Sequence, residues 1–408
     1  MGKSKQMHLT APSRKNRPII LSERRNAKMA RSAHAYMRGN TVKFYEWLDS
    51  AAGKSIPEGP PVWICGDCHV GNLGPVADLE GDVDIQIRDL DQTVIGNPAH
   101  DLIRLALSLA TAARSSDLPG VTTARMMEEM AAGYAAALKS DHWRRRKPDV
   151  QAKSVERIMQ QALRRRWKDL AKERIEDVRP SIPRGDKFWE LNKTERRELE
   201  ALVHTDAVRE LVTSLRHRDD NGDIAVLDAA YWVKGCSSLG RLRYAALVGV
   251  KTKRRIGEVC FLDIKEATAA AAPRNPAAEM PRDNAERVVR GARALAPNLG
   301  ERMLAARMCD RSVVIRELMP QDLKLEIDQL TQREAVNAAR FLAMVVGEAH
   351  ARQMDRATRA SWAKAFGQRR SKSLDAPSWL WTSVVDLVAT HEAAYLEHCR
   401  RFPQAMAA

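Results

Sequence analysis

One short stretch of the chain gathers the polar side chains that phosphoryl transfer requires. It runs from Cys65 to Asn72 with the sequence CGDCHVGN, and a second stretch, DLD, begins seventeen residues later at Asp89. Phosphoryl transfer needs a carboxylate that takes the proton of the attacking hydroxyl, and an amide and a second carboxylate that hold Mg²⁺ on the phosphates. This pattern predicts Asp67 as the general base and Asn72 and Asp89 as the magnesium ligands.

The alternating run from Val83 to Ile87 lies between these two stretches. Alternation of apolar and polar residues is typical of a β-strand with one buried face. We expect this strand to form a hairpin that brings Asp89 back to Asn72, because both residues must reach the same ion. The alternative interpretation is that these Gly/Asp-rich segments are turns without chemistry.

Cys65 and Cys68 permit other interpretations of the first stretch. The segment Cys65 to His69 fits the C-x-x-C-H pattern of covalent haem attachment, and a close cysteine pair also occurs in redox centres and zinc sites. Haem attachment of this kind requires export, and residues 1–31 contain no apolar core of a secretory signal. The other four cysteines form no close pair, so we expect six thiols and neither haem nor zinc.

A glycine-rich turn further along the chain is a candidate phosphate-binding element. The sequence GCSSLG begins at Gly235 between two apolar runs, and Lys265 lies on a third apolar run. Backbone N–H groups of such a turn can approach phosphates closely, and a lysine on a neighbouring strand can neutralise them. The candidate nucleotide-binding residues are therefore Gly235, Ser237, Ser238, Gly240 and Lys265.

Apolar spacing predicts the elements that must position these residues. Short apolar runs at 225–227, 244–248 and 259–262 suit an antiparallel meander, and further strands are expected at 62–64 and 312–317. Apolar residues three or four positions apart predict helices at 22–50, over most of 98–217, and at 284–296, 331–354 and 376–400. The sequence therefore predicts a small β-rich region within a helical protein.

The net charge of +15 is confined to two segments. Residues 1–31 carry +8 and residues 143–179 carry +7, so the rest of the chain is neutral. This distribution indicates a basic tail and one basic helical surface, without the aromatic interleaving or zinc-finger spacing of a nucleic-acid-binding protein. No apolar run is long enough to span a membrane, and we expect a cytoplasmic protein with neither membrane nor nucleic acid as a partner.

These motifs resemble the catalytic and metal-binding loops of aminoglycoside phosphotransferases and related kinase-like enzymes. The matching segments are Gly66 to Asn72, Arg88 to Asp91 and Gly96 to Leu102. Over residues 25–355 the chain is also similar to a bacterial family, domain of unknown function 2252, in the segments Met29 to Ser32, Tyr36 to Gly39, Gly235 to Tyr244, Ile264 to Ala267, Arg316 to Leu318 and Ala349 to Arg352. The resemblance implies Mg²⁺-dependent transfer of the γ-phosphate of ATP or GTP to a hydroxyl of a small molecule, with an aminoglycoside antibiotic as the expected acceptor.

The same resemblance implies a rearranged fold. A kinase fold places the glycine turn and the lysine before the catalytic loop, whereas this chain places them after it. We therefore expect an α+β, circularly permuted, protein-kinase-like fold with two lobes. The expected segments are a basic tail at 1–31, the first part of a helical lobe at 32–219, a small β-rich nucleotide-binding lobe at 220–322, and the second part of the helical lobe at 323–408.

The resemblance also implies the remaining contacts. The backbone at Glu317 and Met319 would meet the nucleotide base, Glu286 would pair with Lys265, and Asp91 and Arg38 would contact the substrate. For Glu286, an ordinary exposed helical glutamate is the alternative. The alternative function is a regulatory or protein-modifying kinase-like protein that binds nucleotide, with residues 143–179 as its docking surface. The sequence does not determine the oligomeric state.

The permutation makes a prediction about distant segments. The helix around Phe341 to His350 should pack beside the strand at 62–64 and close to Asp67, although nearly 280 residues separate them. A chain truncated after residue 330 should therefore fail to fold, because an exposed core face costs several kcal/mol against a net stability of about 5 to 15 kcal/mol. Circular dichroism and thermal melting of the truncated chain measure this. A soluble fragment that binds nucleotide would contradict the prediction.

Overall fold

The chain folds around a helical core and a six-stranded sheet that packs beside it. The computed structural model describes residues 12–13, 15–50, 52–140, 157, 159–161, 164, 181–214, 222–252, 255–322, 331–368 and 374–403. Apart from the few positions between 157 and 164, the basic segment 143–179 lies outside the described residues. Within these ranges the structure is a mixed α+β fold, as the sequence predicted.

The helices alternate with two groups of strands. They are α1 (Arg17–Ala30), α2 (Ala33–Gly39), α3 (Thr41–Leu48), α4 (Pro98–Ser115), α5 (Gly120–Lys139), α6 (Lys193–Val203), α7 (Asp206–Thr213), α8 (Asn284–Leu295), α9 (Pro297–Gly300), α10 (Gln332–Ala351), α11 (Arg356–Phe366) and α12 (Ser378–Arg401). In the described part of the chain, none of these helices has both the length and the apolar character needed to cross a membrane.

Two small antiparallel sheets carry the first candidate stretch. Strand β1 (Val62–Ile64) pairs with β4 (Val94–Gly96), and β2 (Leu73–Ala77) pairs with β3 (Val83–Ile87). The predicted strands at 62–64 and 83–87 are confirmed with the same boundaries. Both sheets pack on the helical core, where their apolar residues meet those of α4, α5 and α10.

The second group of strands forms one antiparallel sheet in the order β5-β6-β7-β8-β10-β9. Its strands are β5 (Phe188–Trp189), β6 (Asp223–Trp232), β7 (Arg243–Thr252), β8 (Arg255–Glu266), β9 (Met303–Met308) and β10 (Arg311–Glu317). The predicted meander is therefore confirmed as β6, β7 and β8. One face of the sheet is covered by α6 and α7, so this unit begins upstream of the expected boundary at 220.

Part of the expected basic tail is a structural helix. Residues 17–30 form α1, in which Leu21 and Met29 are buried. Near its start, the Arg17 guanidinium lies 2.6 Å from the buried Glu195 carboxylate and stacks over the ring of Tyr231. The expectation of a tail at 1–31 is thus wrong for residues 17–30, whereas the helix predicted from residue 22 is present and begins at Arg17. Leu21 packs into the hydrophobic core of the six-stranded sheet, which the high charge of the segment did not indicate.

The predicted contact between the C-terminal helices and the first strand is confirmed. Just after α10, the Gln353 side chain accepts a hydrogen bond from Trp63 N–H at 2.8 Å and donates one to the Trp63 carbonyl at 3.1 Å. Along α10, the buried residues Phe341, Leu342, Val345, Val346 and Ala349 join the same hydrophobic core as β1. This helix is therefore part of the core and not an appendage.

The closest approach of α5 and α10 predicts a sharp stability effect. A Cβ on Gly133 would lie 2.2 Å from the Arg340 carbonyl oxygen, whereas a Cβ on Gly120 of the same helix would meet nothing within 4 Å. We expect Gly133→Ala to lower the free energy of unfolding by about 1 to 3 kcal/mol, because the two backbones must separate. Gly120→Ala should leave stability unchanged or slightly increase it. Thermal melting of both variants is the measurement, and equal melting temperatures would contradict this packing.

Candidate functional site

The loop after β1 holds the predicted base at a sharp turn. Gly66 has a φ of +74°, a backbone conformation that side chains disfavour, and a Cβ there would lie 2.2 Å from the Gln92 carbonyl oxygen. The chain then passes Asp67 and ends the loop in a 3₁₀ turn, Val70–Asn72. Asn72 Nδ2 donates to the Asp67 carbonyl at 3.0 Å, which ties the two predicted site residues together.

The carboxylate of Asp67 is buried and held from two sides. Arg104 Nε donates to Oδ1 at 2.9 Å, and the Thr41 hydroxyl donates to Oδ2 at 2.9 Å. Burial raises the pKa of Asp67, while the nearby Arg104 and the hydrogen bonds from Arg104 and Thr41 oppose part of that rise. The carboxylate is therefore fixed in position and more basic than a solvent-exposed aspartate.

The predicted hairpin brings Asp89 back to Asn72. Leu73 pairs with Ile87, and the next residue, Arg88, donates its N–H to the Asn72 carbonyl at 2.7 Å. The hairpin expectation is therefore confirmed by the register of β2 and β3. The Asp89 side chain remains about half exposed.

Arginines from the two neighbouring elements fix the backbone around Asp89. Arg316 on β10 donates to the Arg88 carbonyl at 3.1 Å, and Arg287 on α8 donates to the Asp91 carbonyl at 3.0 Å. Arg287 also hydrogen-bonds to the Thr93 carbonyl. The segment from 88 to 93 is thereby attached to the six-stranded sheet and to α8, in addition to its own hairpin.

Lys265 meets the two aspartates of this segment. Its Nζ lies 3.3 Å from Asp89 Oδ1 and 2.5 Å from Asp91 Oδ2. Burial acts to raise the pKa of Asp89, but Lys265 and the nearby arginines outweigh it and hold that pKa well below the usual value. The pKa of Asp91 is raised by burial and by repulsion from Asp89. One ammonium therefore joins two carboxylates at the centre of the site.

This cluster corrects one expectation. Among the described residues the carboxylate partners of Lys265 are Asp89 and Asp91, whereas Glu286 lies exposed in the first turn of α8. The expected pair of Lys265 with Glu286 is thus wrong, and Glu286 matches the alternative of an ordinary exposed glutamate. Asp91, which was expected to contact the substrate, belongs to this ion cluster.

A second ion cluster lies beside Lys265 on the same face of the sheet. Asp263, two residues before the lysine on β8, accepts two hydrogen bonds from Arg243 at 2.9 and 2.6 Å and lies 3.4 Å from Arg316. Burial would raise the pKa of Asp263, but the two arginines hold it well below the usual value. Together these residues and the 88–91 segment line one pocket. The pocket wall has four cationic and three anionic side chains, and ion pairs join most of them to one another.

The glycine turn lies between β6 and β7, as predicted. Gly235 and Gly240 have φ values of +93° and +98°, and a Cβ on Gly235 would lie 2.3 Å from Ser238 Oγ. Hydrogen bonds within the turn use the N–H groups of Leu239 and Arg241. The N–H groups of Ser237, Ser238 and Gly240 are not used by these bonds, so they can serve a ligand.

The backbone expected to meet a nucleotide base is engaged elsewhere. The Glu317 carbonyl accepts from the buried Arg302 at 2.9 Å, and Met319 N–H donates to Asp322 Oδ2 at 3.3 Å. Leu318 N–H donates to the Phe261 carbonyl at 2.9 Å. The structure does not support the expectation that the backbone at Glu317 and Met319 meets a nucleotide base, because these groups bind Arg302 and Asp322.

Asp101, in the first turn of α4, is a residue to which sequence reasoning gave no role. Its carboxylate accepts from Cys65 N–H at 2.7 Å and Gly66 N–H at 2.9 Å, and His350 Nε2 lies 3.1 Å from Oδ2. The other ring nitrogen of His350 lies 3.0 Å from the Tyr134 hydroxyl. Helices α4, α5 and α10 thus hold the loop before Asp67 through one buried chain of polar groups.

The cysteines of the loop are buried free thiols. The Sγ atoms of Cys65 and Cys68 and a carboxylate oxygen of Asp101 lie within 4.8 Å of one another. The hydrogen bond from Cys68 and then burial raise the pKa of Cys65, and burial also raises that of Cys68. Metal binding needs thiolates, and Asp101 already accepts from the loop backbone. The geometry therefore favours structural thiols.

Other residues of the site were missed although the sequence carried a signal for some of them. Arg104 is the one charge within the apolar run of α4, and such a residue requires a buried partner. Arg243 and Asp263 similarly lie on strands among apolar neighbours. Thr41 and His350 have no comparable signal, because only the tertiary structure brings them to the loop.

Comparison with known proteins identifies the family. The family model described as "Uncharacterized protein conserved in bacteria (DUF2252)" matches residues 20–401. No curated protein and no solved structure matches the chain significantly. The family match includes both candidate loops, the glycine turn, Lys265 and the C-terminal helices. Because it extends over almost the whole sequence, the chain belongs to the DUF2252 family of bacterial proteins.

Proposed function

We propose that the protein is a Mg²⁺-dependent phosphotransferase that moves the γ-phosphate of ATP or GTP to a hydroxyl of a small molecule. The observation that carries this proposal is the 3.3 Å contact between Lys265 Nζ and Asp89 Oδ1. It joins the lysine of the glycine-turn sheet to the predicted metal carboxylate, although 176 residues separate them. A kinase-type site requires these two groups on the same phosphates.

The order of elements supports a permuted kinase-like arrangement of two lobes. In protein kinases a glycine-rich loop covers the phosphates and a lysine lies on the third strand. In this chain the glycine turn joins β6 and β7, Lys265 lies on β8, and α8 and two further strands follow. The helix that would lead into the catalytic loop is α10, at the opposite end of the sequence.

Asn72 and Asp89 have the chemistry that Mg²⁺ requires. The Asn72 amide nitrogen is used by the Asp67 carbonyl, so its Oδ1 is the available ligand atom. The half-exposed Asp89 carboxylate supplies a second oxygen, and Mg²⁺ sites in proteins commonly use few side chains together with phosphate oxygens and water. The ion would neutralise charge on the β- and γ-phosphates.

In the proposed step, the acceptor hydroxyl oxygen forms a bond to the γ-phosphorus. The bond from that phosphorus to the bridging oxygen breaks, and its electron pair leaves with the nucleoside diphosphate. The hydroxyl proton passes to Asp67. Arg104 and Thr41 hold the carboxylate in place for this transfer. Ser237, Ser238 and Gly240 would donate backbone N–H groups to the phosphates.

An aminoglycoside is the proposed acceptor. This substrate class rests on the resemblance of the loops to aminoglycoside phosphotransferases. Incubation of the purified protein with labelled ATP or GTP and a panel of aminoglycosides, including garosamine-containing members, tests it. Label in the small-molecule fraction supports the proposal. Label only in protein would favour the protein-modifying alternative.

Asp67→Asn should lower the transfer rate about 10²- to 10⁴-fold while the folded protein still binds nucleotide, because the base is lost and the phosphate contacts remain. The variant will also melt at a lower temperature, since Arg104 loses its charged partner. Because burial raises the pKa of Asp67, the wild-type rate should fall as the pH drops through that pKa.

Rates and calorimetric nucleotide affinities of the Asp67→Asn protein are the measurements, made below its melting temperature. Asp49→Asn, which changes an exposed aspartate at the end of α3, is the matched control and should keep the wild-type rate. Wild-type turnover by Asp67→Asn would remove Asp67 from the mechanism.

Asp89→Ala should abolish the Mg²⁺ dependence of nucleotide binding, because the metal loses one of its few protein ligands. Titration calorimetry with and without Mg²⁺ measures the effect. Asp82→Ala removes an exposed carboxylate from the turn of the same hairpin and should behave as the wild type. Equal Mg²⁺ dependence in Asp89→Ala and the wild type would contradict the metal assignment.

A further inference from the structure

Arg38 differs from three of the arginines around the site. Arg104, Arg243 and Arg302 each have a carboxylate oxygen within 3.0 Å. Arg38, at the end of α2, is half-buried, and within the described ranges no carboxylate lies close enough to form an ion pair with it. Its charge is therefore available to an anionic ligand, to which a guanidinium can donate charge-assisted hydrogen bonds.

The position of Arg38 indicates where that anion would lie. Its guanidinium rests against Gly71 of the 3₁₀ turn, since a Cβ on that glycine would lie 2.6 Å from Nη2 and 2.9 Å from Cζ. The next residue, Gly39, approaches the glycine turn, and a Cβ there would lie 2.9 Å from Cys236 Sγ. Arg38 therefore lies beside both the turn that carries Asn72 and the turn that carries the phosphate-binding N–H groups.

The charge of Arg38 acts on both of these turns. It contributes to the electrostatic environment of His69, which precedes the 3₁₀ turn, and to that of Cys236 in the glycine turn. Lys28 reaches the same place from α1, where its Nζ donates to the Gly235 carbonyl at 2.9 Å. The two basic residues differ in that Lys28 is engaged with the backbone and Arg38 is not.

We propose that Arg38 contacts the phosphoryl group during its transfer and stabilises the charge on its non-bridging oxygens. This inference rests on the proposed function and replaces the substrate contact expected for Arg38 from the sequence. As the acceptor oxygen bonds to phosphorus and the bridging oxygen leaves with its electron pair, charge is spread over three phosphoryl oxygens. The planar guanidinium can donate two parallel hydrogen bonds to such a group. An arginine in this role contributes about 10³- to 10⁵-fold in rate.

Arg38→Ala should lower kcat about 10³-fold and change the affinity for a non-hydrolysable nucleotide triphosphate by less than about threefold. It should also weaken binding of the nucleoside diphosphate with Mg²⁺ and aluminium fluoride, which mimics the phosphoryl group in transfer and needs no acceptor. Arg38→Lys should recover part of the rate, because it keeps the charge and loses the planar pair of donors.

Gly71→Ala tests the position of the guanidinium without removing its charge. The new methyl group must displace the flexible end of Arg38, so we expect a reduced kcat with little change in melting temperature. The double variant Arg38→Ala/Gly71→Ala should be no slower than Arg38→Ala alone, because the methyl group then has nothing to displace. Arg290→Ala, on the exposed face of α8, is the matched control and should keep the wild-type rate.

The outcomes separate this inference from the proposed function. Wild-type kcat in Arg38→Ala, or independent additive effects of the two substitutions, would overturn the role of Arg38 and leave the phosphotransferase intact. Equal losses in binding of the triphosphate analogue and the aluminium fluoride complex would also overturn it, because Arg38 would then be an ordinary nucleotide contact. A wild-type protein that neither binds nucleotide nor transfers phosphate would overturn both proposals.

Discussion

The carboxylate of Asp101 holds the candidate site together. It accepts the backbone N–H groups of Cys65 and Gly66, which are the two residues that precede Asp67. A loop backbone with buried donors must find acceptors inside the protein, and Asp101 supplies them from the first turn of α4. The carboxylate is in turn held by His350, the histidine by Tyr134, and the Tyr134 hydroxyl by Trp362. The orientation of the loop therefore depends on helices from both ends of the described chain.

Arginines hold the acidic loops of the site in position, as Asp101 holds the backbone before Asp67. Arg316, Arg287 and Arg104 each donate to groups of the loops that carry the acidic residues, and each comes from a different element. Because carbonyl groups of the 88–93 segment are fixed from the sheet and from α8, the Asp89 carboxylate is held opposite Lys265. These three arginines therefore have a structural role. Arg38 forms no such contact among the described residues, which is why we assign it a ligand.

Helix α1 shows how the two parts of the fold are joined. Its first turn binds Glu195 and the β6 side of the sheet through Arg17, and Lys28 near its end contacts the glycine turn. It also contacts α12, whose Tyr395 hydroxyl donates to the Ala30 carbonyl. Composition alone indicated that this segment is a tail. In the structure it connects the glycine turn to the helical core.

The sequence by itself determined the local elements and indicated a chemistry for the loops. Periodicity located β1, β3, the β6–β8 meander and α10, and the residue types around Asp67 and Asp89 indicated one site, because these signals depend only on neighbouring residues. The tertiary structure decided which charges meet. Lys265 pairs with Asp89 and Asp91 instead of Glu286. The Glu317 carbonyl accepts a hydrogen bond from Arg302, and the Met319 N–H donates one to Asp322. Charge pairing is set by distances between elements far apart in the chain, and those distances leave no periodic trace in the sequence.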